Sequence, residues 1–151
     1  DPSLPPVLGN RFILIQLFLN LMKNACESVS KVGGEIKITT SYRHGMRVNV
    51  GGTKEKLHLP LQISIRDNGI GIPEDLTANI FEAFVTTKVS GTGLGLAFVA
   101  KAVSDHGGLI EVDSLPENTT FNITLPVVEP DIQIKTRNTK YVNHSIDEGF
   151  F

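Results

Sequence analysis

The chain has 151 residues, 40% apolar and 20% charged, with a net charge of −2, which suits one globular domain with a sizeable core and argues against wholesale disorder. That charge, with no basic run, excludes the electrostatic footprint of a nucleic-acid binder; no apolar stretch reaches membrane-spanning length, and the opening DPSLPP is not read as a signal peptide. A single cysteine, Cys26, rules out an internal disulfide and fits a reducing compartment, where it is expected to be a small core filler.

The first eight residues hold three prolines and predict an extended lead-in. Asn10 can then cap a helix in which Ile13, Leu17, Leu21 and Ala25 step by four, with Leu14, Phe18 and Val29 widening the stripe and Gly33-Gly34 closing it. Asn20 and Asn24 stack on one face of this helix beside the stripe, where either protein groups or a ligand can satisfy their amides. Residues 35–42 alternate as a strand, and 43–58, with Gly51-Gly52 at the middle, read as a protruding positively biased hairpin whose bland reading is a solvated loop.

The next strand carries Leu59, Leu61, Ile63 and Ile65 on one face, and the period of two places Asp67 on that same inward face. A carboxylate there needs a donor. The residues after it, Asn68 to Ile72, include Gly69 and Gly71, where bare backbone can approach a bound molecule; a lone Asp-Asn-Gly is otherwise an ordinary turn. Pro73-Glu74-Asp75 opens a short helix to about Phe81. A polar, glycine-rich stretch leads to a helix patterned by Leu96, Val99, Ala100 and Val103 and stopped at His106-Gly107-Gly108. Residues 109–114 and 119–125 read as a hairpin turned by Pro116 to Asn118. This order predicts an α+β fold, a two-layer α/β sandwich with a mixed sheet and helices on one face, over residues 1–126. Residues 127–151 read as a tail, partly disordered or loosely packed, with an edge strand possible over 127–134.

The stretch from Gly91 to Leu96, GTGLGL, opens a helix whose free N–H groups suit an anion, with the Thr92 hydroxyl and the Lys88 charge nearby. Neither the P-loop nor a complete G-x-G-x-x-G occurs, and a glycine-rich helix start taken alone is more often a purely structural turn than a phosphate site. Together, an inward Asp for an adenine amino group, a phosphate cradle and an Asn oxygen for a hydrated cation fit ATP with Mg2+.

Four segments carry a resemblance. NLMKNACE (20–27), DNGIGI (67–72), FEAFVTTK (81–88) and GTGLGL (91–96) resemble, in order and spacing, the N, first glycine, F and second glycine boxes of sensor histidine kinases. Their ATP-binding fold, the Bergerat type of the GHKL superfamily, is shared with gyrase-type topoisomerases, mismatch-repair ATPases and heat-shock chaperones. The short lid and the hairpin insertion are similar to nitrogen-regulation (Ntr-type) kinases of bacteria. The resemblance implies that Asp67 receives the adenine amino group with Thr119 beside it, and that Gly69 and Gly71 let the backbone close around the base. It implies Asn24 as the Mg2+ ligand, Asn20 and Lys23 at the phosphates in catalysis, and Lys88, Thr92, Gly93, Leu94 and Gly95 along the lid and phosphate side, Lys88 also acting in transfer. An exposed ion pair with Glu27 is an equal reading of Lys23.

By the same resemblance, this catalytic domain of a cytoplasmic bacterial kinase donates the γ-phosphate to a histidine on a separate dimerisation domain. Its further partners would be a response regulator and a nitrogen-status signalling protein; the intact kinase would be a homodimer and this fragment a monomer. Ala83 stands where the F box has proline, and Glu117 where the last turn has glycine. His44, His58, His106 and His144 lack the acidic neighbour of a phosphoacceptor, so loop, strand, helix end and tail are their expected places. Two rival functions remain open: a non-catalytic ATP-sensing module and an ATP-hydrolysing relative, the second disfavoured by Asn20 standing where a hydrolase carries a carboxylate.

Overall fold

The computed structural model describes residues 3–45, 47–49, 56–88 and 91–127. Helix α1, Arg11–Ser28, starts where Asn10 accepts hydrogen bonds from the Phe12 and Ile13 amides through its side chain. Its stripe is the expected one, with Leu17, Leu21 and Ala25 buried. The helix ends at Ser28, with Val29 already extended at ψ 153, so it stops short of the glycines that were expected to close it. The reason is tertiary: the Ser28 carbonyl accepts from the Ile70 amide and the Ser28 hydroxyl from its side donates to Asp67, which fastens this turn to the loop after Asp67. Cys26 is exposed rather than core filler, because it follows buried Ala25 by about 100° of helical turn.

Strand β1, Ile36–Tyr42, is followed by a small hairpin, β2 (Arg47–Asn49) with β3 (Lys56–His58). The tip of this insertion lies outside the described residues, and the Arg43 amide bonds the Pro60 carbonyl at its root. Strand β4, Leu61–Asp67, runs beside β1; then come α2 (Glu74–Thr77), α3 (Gly95–Asp105), β5 (Leu109–Leu115) and β6 (Asn118–Leu125). The α2 helix is shorter than expected, with turns from 78 to 82 in place of a helix to Phe81. Strand order is β1-β4-β6-β5, and both helices α1 and α3 pack on one face, α1 against β4 and α3 against β5.

Every pairing in the four-stranded sheet is antiparallel, so the mixed sheet expected from the sequence is corrected. The crossover through α3 does bring β5 back in the direction of β4. Strand β6 then returns through a tight hairpin into the gap between them, and among the described residues no parallel neighbours remain. The apolar face of β4 is the expected one: Leu61, Ile63 and Ile65 join the core, Asp67 at the strand end is buried with them, and Leu59 just before the strand is buried too, although Gln62 on the other face is also largely covered. The core joins Leu17 and Leu21 with Val99, Ala102 and Val103, and sets them on Ile63, Ile65, Phe121 and Ile123. On the other face Gln62 and Ser64 both donate to Asn122 of β6, which satisfies polar groups there.

The β5–β6 turn is Pro116-Glu117, with Glu117 at φ 64. Proline followed by a residue of positive φ is type II turn geometry, which favours glycine at the second place. Glu117 therefore carries backbone strain that a glycine would relieve, offset in part by glycine's larger entropy loss. Glu117→Gly is expected to stabilise the domain by about 0.5–1 kcal/mol. Urea unfolding checks this, and an unchanged or lowered midpoint contradicts it.

Candidate functional site

Asp67 is the last residue of β4 and 3% exposed, opposite Thr119 on β6 and Ile36 on β1. Its Oδ1 accepts from the Ser28 hydroxyl at 3.1 Å and from the Gly69 amide at 2.9 Å. Among the described residues no donor is aimed at Oδ2, and that oxygen is not sealed from solvent, so the carboxylate is held by one oxygen and offers the other. Beside it, the buried Thr119 hydroxyl meets the Ser114 hydroxyl at 2.9 Å, and Ser114 accepts from the Ile72 amide at 2.8 Å. This relay ties the loop after Asp67 to β5 and β6.

The loop itself is bonded on all sides. Asn68 accepts from the Glu35 amide and donates to the Gly33 carbonyl, while the Gly69 carbonyl accepts from the Glu117 amide. A Cβ at Gly69 would lie 1.9 Å from Ser28 Oγ and 2.7 Å from Asp67 Oδ1, so no side chain fits there. Gly71, at φ +82, packs against the Leu115 carbonyl. The glycines thus allow both a tight turn and the closeness that lets backbone hold Asp67.

Helix α1 supplies the second wall. Asn20, Asn24 and Ser28 follow one another at intervals of four, so they line one face over about 12 Å of axis. Ser28 touches Asp67. Asn24 Oδ1 accepts from Lys88 Nζ at 3.2 Å, and Lys88 also pairs with Glu27. Asn20 Oδ1 lies 4.0 Å from where a Cβ would stand on Gly95, the first residue of α3, so the positive end of α3 opens beside it. Lys23 is exposed and 3.8 Å from Glu27, which is the ion pair rather than a free basic group.

The glycine-rich stretch is fastened to the segment before it. The Phe84 amide donates to the Gly93 carbonyl, and a Cβ on Gly93 would meet Phe84 backbone at 2.5 Å, with Gly93 at φ +66 and Phe84 at φ 71. Phe81 roots the same segment in the core by an edge contact with Phe121. Thr92 Oγ1 accepts from the Leu94 amide at 3.4 Å, and Leu94 precedes α3 without a side-chain cap, leaving the first amides of α3 without that partner. A cleft of about 570 Å³ lined by Asn10, Ile13, Asp105 and His106 lies at the opposite end of α1 and shares no residue with this set. His106 is a helix end as expected, its ring bonded to the Asn10 amide and the Ala102 carbonyl; His44 is in a loop, His58 ends β3, and His144 lies outside the described residues.

The row Ser28, Asn24 and Asn20 on α1 thus forms one wall of a groove from Asp67, with Gly69, Gly71 and Thr119 beside it, past Lys88 to Gly95 at the start of α3, which Thr92, Gly93 and Leu94 precede; Lys23 meets Glu27. Two participants were not singled out for it from sequence. Ser28 extends the Asn20–Asn24 row by one more turn, a legible signal; Glu27 had been considered only as the partner of Lys23, and nothing local marks its pairing with a residue 61 positions on.

A family model described as histidine kinase-, DNA gyrase B- and HSP90-like ATPase matches residues 9–129. The chain belongs to this ATPase family. Over 129 residues it is 60% identical to the sensory histidine kinase/phosphatase NtrB of Azospirillum brasilense, covering 85% of this chain and 32% of that protein. It spans about a third of the length of the NtrB relatives it matches. Among solved structures it is similar to a mycobacterial sensor histidine kinase, MprB, with TM-score 0.65, 28% identity and coverage of 80% of this chain and 76% of that one. It is also similar to full-length ShkA in complex with AMPPNP, with TM-score 0.63, 32% identity and coverage of 82% and 23%. The fold is thus shared with these two histidine kinases over about four fifths of this chain.

The pairing with Lys88 holds the Glu27 carboxyl below the usual carboxylate range, first through the Lys88 hydrogen bond, which outweighs the opposing desolvation of the charged form, and then through the charges of Lys88 and Lys23. A folded pKa below the unfolded one contributes stability that is present above the ordinary range and lost as pH falls through the folded value. Glu27 should therefore titrate below the ordinary glutamate range in carboxyl-detected NMR and return to it in Lys88→Met. A midpoint that Lys88→Met does not move contradicts the pairing.

Proposed function

We propose that the chain is the catalytic domain, over residues 1–126, of a sensor histidine kinase of the NtrB type, and that the groove binds ATP with Mg2+. The observation that carries this reading is the order of groups along α1. A buried acceptor with one open oxygen, Asp67, lies at one end, an amide oxygen already in contact with a cation, Asn24, in the middle, and the opening turn of α3 beside Asn20 at the other. An adenine amino group donates to a carboxylate, and phosphates suit free amides and a helix N-terminus. That polarity fits adenine at Asp67, with Thr119, Gly69 and Gly71 around it, and phosphates at Thr92, Gly93, Leu94 and Gly95.

Among the described residues no group of three His, Cys, Asp or Glu is placed to hold a metal. Mg2+ does not need one, since it keeps several waters and takes one or two protein oxygens together with phosphates. Asn24 Oδ1 fits that role, because it already attracts the Lys88 ammonium. When bound, Mg2+ would neutralise phosphate charge; Lys88, and Lys23 if it leaves Glu27, would add to this from the groove walls, and Asn20 would orient the phosphates. The residues of the groove supply positioning and charge, and none is a strong general base, which suits transfer to an external nucleophile.

The acceptor is a histidine on a dimerisation domain outside this chain, with a response regulator and a nitrogen-status signalling protein as further partners. The intact kinase is a cytoplasmic homodimer. The names of the NtrB relatives and their identity of up to 60% support the nitrogen assignment, and no helix among the described residues is long and apolar enough to cross a membrane. Mixing the chain with a histidine-bearing dimerisation domain of an NtrB relative and labelled Mg–ATP should yield acid-labile phosphohistidine on that domain. Nucleotide binding without any transfer would favour an ATP-sensing module instead, and release of free phosphate by the chain alone would favour a hydrolase.

A further inference from the structure

Lys88 reaches from the glycine-rich segment across the groove to α1. The base of that segment is closed by the Phe84 amide on the Gly93 carbonyl, and its own turn by the Gly91 amide on the Lys88 carbonyl and the Lys88 amide on Thr86 Oγ1 at 3.1 Å. From this turn the Lys88 side chain extends to α1, where its ammonium donates both to Asn24 Oδ1 and to Glu27 Oε2. Glu27 follows Asn24 by three residues, one helical turn, so both acceptors point from one face of α1.

The two acceptors differ in what they can hold. A neutral amide oxygen competes poorly with water for an ammonium group, whereas a carboxylate adds charge attraction and a charge-assisted bond. Glu27 therefore supplies the reason for Lys88 to stand at Asn24. The Lys88 and Glu27 side chains are 43% and 40% exposed, so the pair is shallow and can open without stranding a charge in the core.

We infer that Glu27 is a positioning residue that latches Lys88 onto Asn24, so that the Lys88 ammonium is an internal occupant of the cation position which metal-nucleotide must displace. The inference rests on the Mg–ATP reading of the groove. One oxygen, Asn24 Oδ1, is asked to serve both cations, and the segment carrying Lys88 is held down over α1 until one replaces the other. Displacement frees Lys88 to turn toward the phosphates, so arrival of the metal-nucleotide releases the charge that then helps to hold it. The competing role for Glu27, as a carboxylate reaching the metal itself through water, predicts the opposite effect of its removal on affinity.

The test uses the whole chain with Glu27→Gln and Lys88→Met, each first shown by circular dichroism to melt cooperatively. Without nucleotide, the amides of Lys88 and Gly91 should exchange hydrogen faster in both variants than in the wild type, with the amides of β4 and β6 unchanged. In calorimetry with Mg–ATP, Glu27→Gln should bind about two- to fivefold more tightly, because the latched fraction no longer lowers the apparent affinity. Lys88→Met should bind more weakly, since it loses the phosphate contact with the latch. Unchanged exchange in Glu27→Gln overturns the latch, and weaker Mg–ATP binding by that variant overturns it in favour of Glu27 as a partner of the metal. A wild-type chain that binds no Mg–ATP overturns the nucleotide reading, and the exchange measurement then still decides whether Glu27 holds the segment.

Discussion

The buried carboxylate of Asp67 is the constraint on which the site depends. A charge at the end of an apolar strand face is costly unless donors meet it, and here the donors are Ser28 on α1 and the Gly69 amide, both on the same oxygen. Meeting that demand fixes three things at once: where α1 ends, how the loop after β4 turns back, and why no side chain can stand at position 69. The loop is then anchored to β5 and β6 through Ser114, Thr119 and the Glu117 amide. The strained turn at Glu117 is part of that anchorage, since its amide is the one that reaches Gly69. A single polar requirement thus organises the junction of helix, sheet and loop.

Helix α1 converts this local arrangement into a groove with direction. Its inner stripe, Leu17, Leu21 and Ala25, fixes its rotation against the sheet, and that rotation presents Asn20, Asn24 and Ser28 along the groove. The charges follow the same helix, with Glu27 between Lys23 and Lys88. Since the pair with Lys88 joins α1 to the glycine-rich segment, it ties the position of that segment to Asn24.

Much of this was legible in the residues. The period-two run ending at Asp67 placed the carboxylate inward, the period-four stripe and Asn10 fixed the start and inner face of α1, and Gly107 marked the end of α3. What escaped was non-local. The end of α1 at Ser28 is set by contacts with residues 67 and 70, so the glycines at 33 and 34, a valid local stop, came too late to matter. The sheet reads as mixed until one knows that β6 enters between β4 and β5, a choice made by the packing of the hairpin and invisible to periodicity. Cys26 was assigned by residue type when its helical angle decided the matter. The pairing of Lys88 with Glu27 joins residues far apart in the chain, and no local pattern encodes it.

If the open oxygen of Asp67 reads an adenine amino group, base selectivity shows it most directly. Guanine presents a carbonyl oxygen where adenine presents its amino group, so it meets the carboxylate with an acceptor. Titrating the chain with Mg–ATP and Mg–GTP should show ATP bound at least about tenfold more tightly, with the preference reduced in Asp67→Asn, whose amide can donate to the guanine carbonyl, and ATP affinity lowered by about 1.5–3 kcal/mol. Equal binding of the two nucleotides by the wild type, or an ATP preference untouched by Asp67→Asn, would contradict the account.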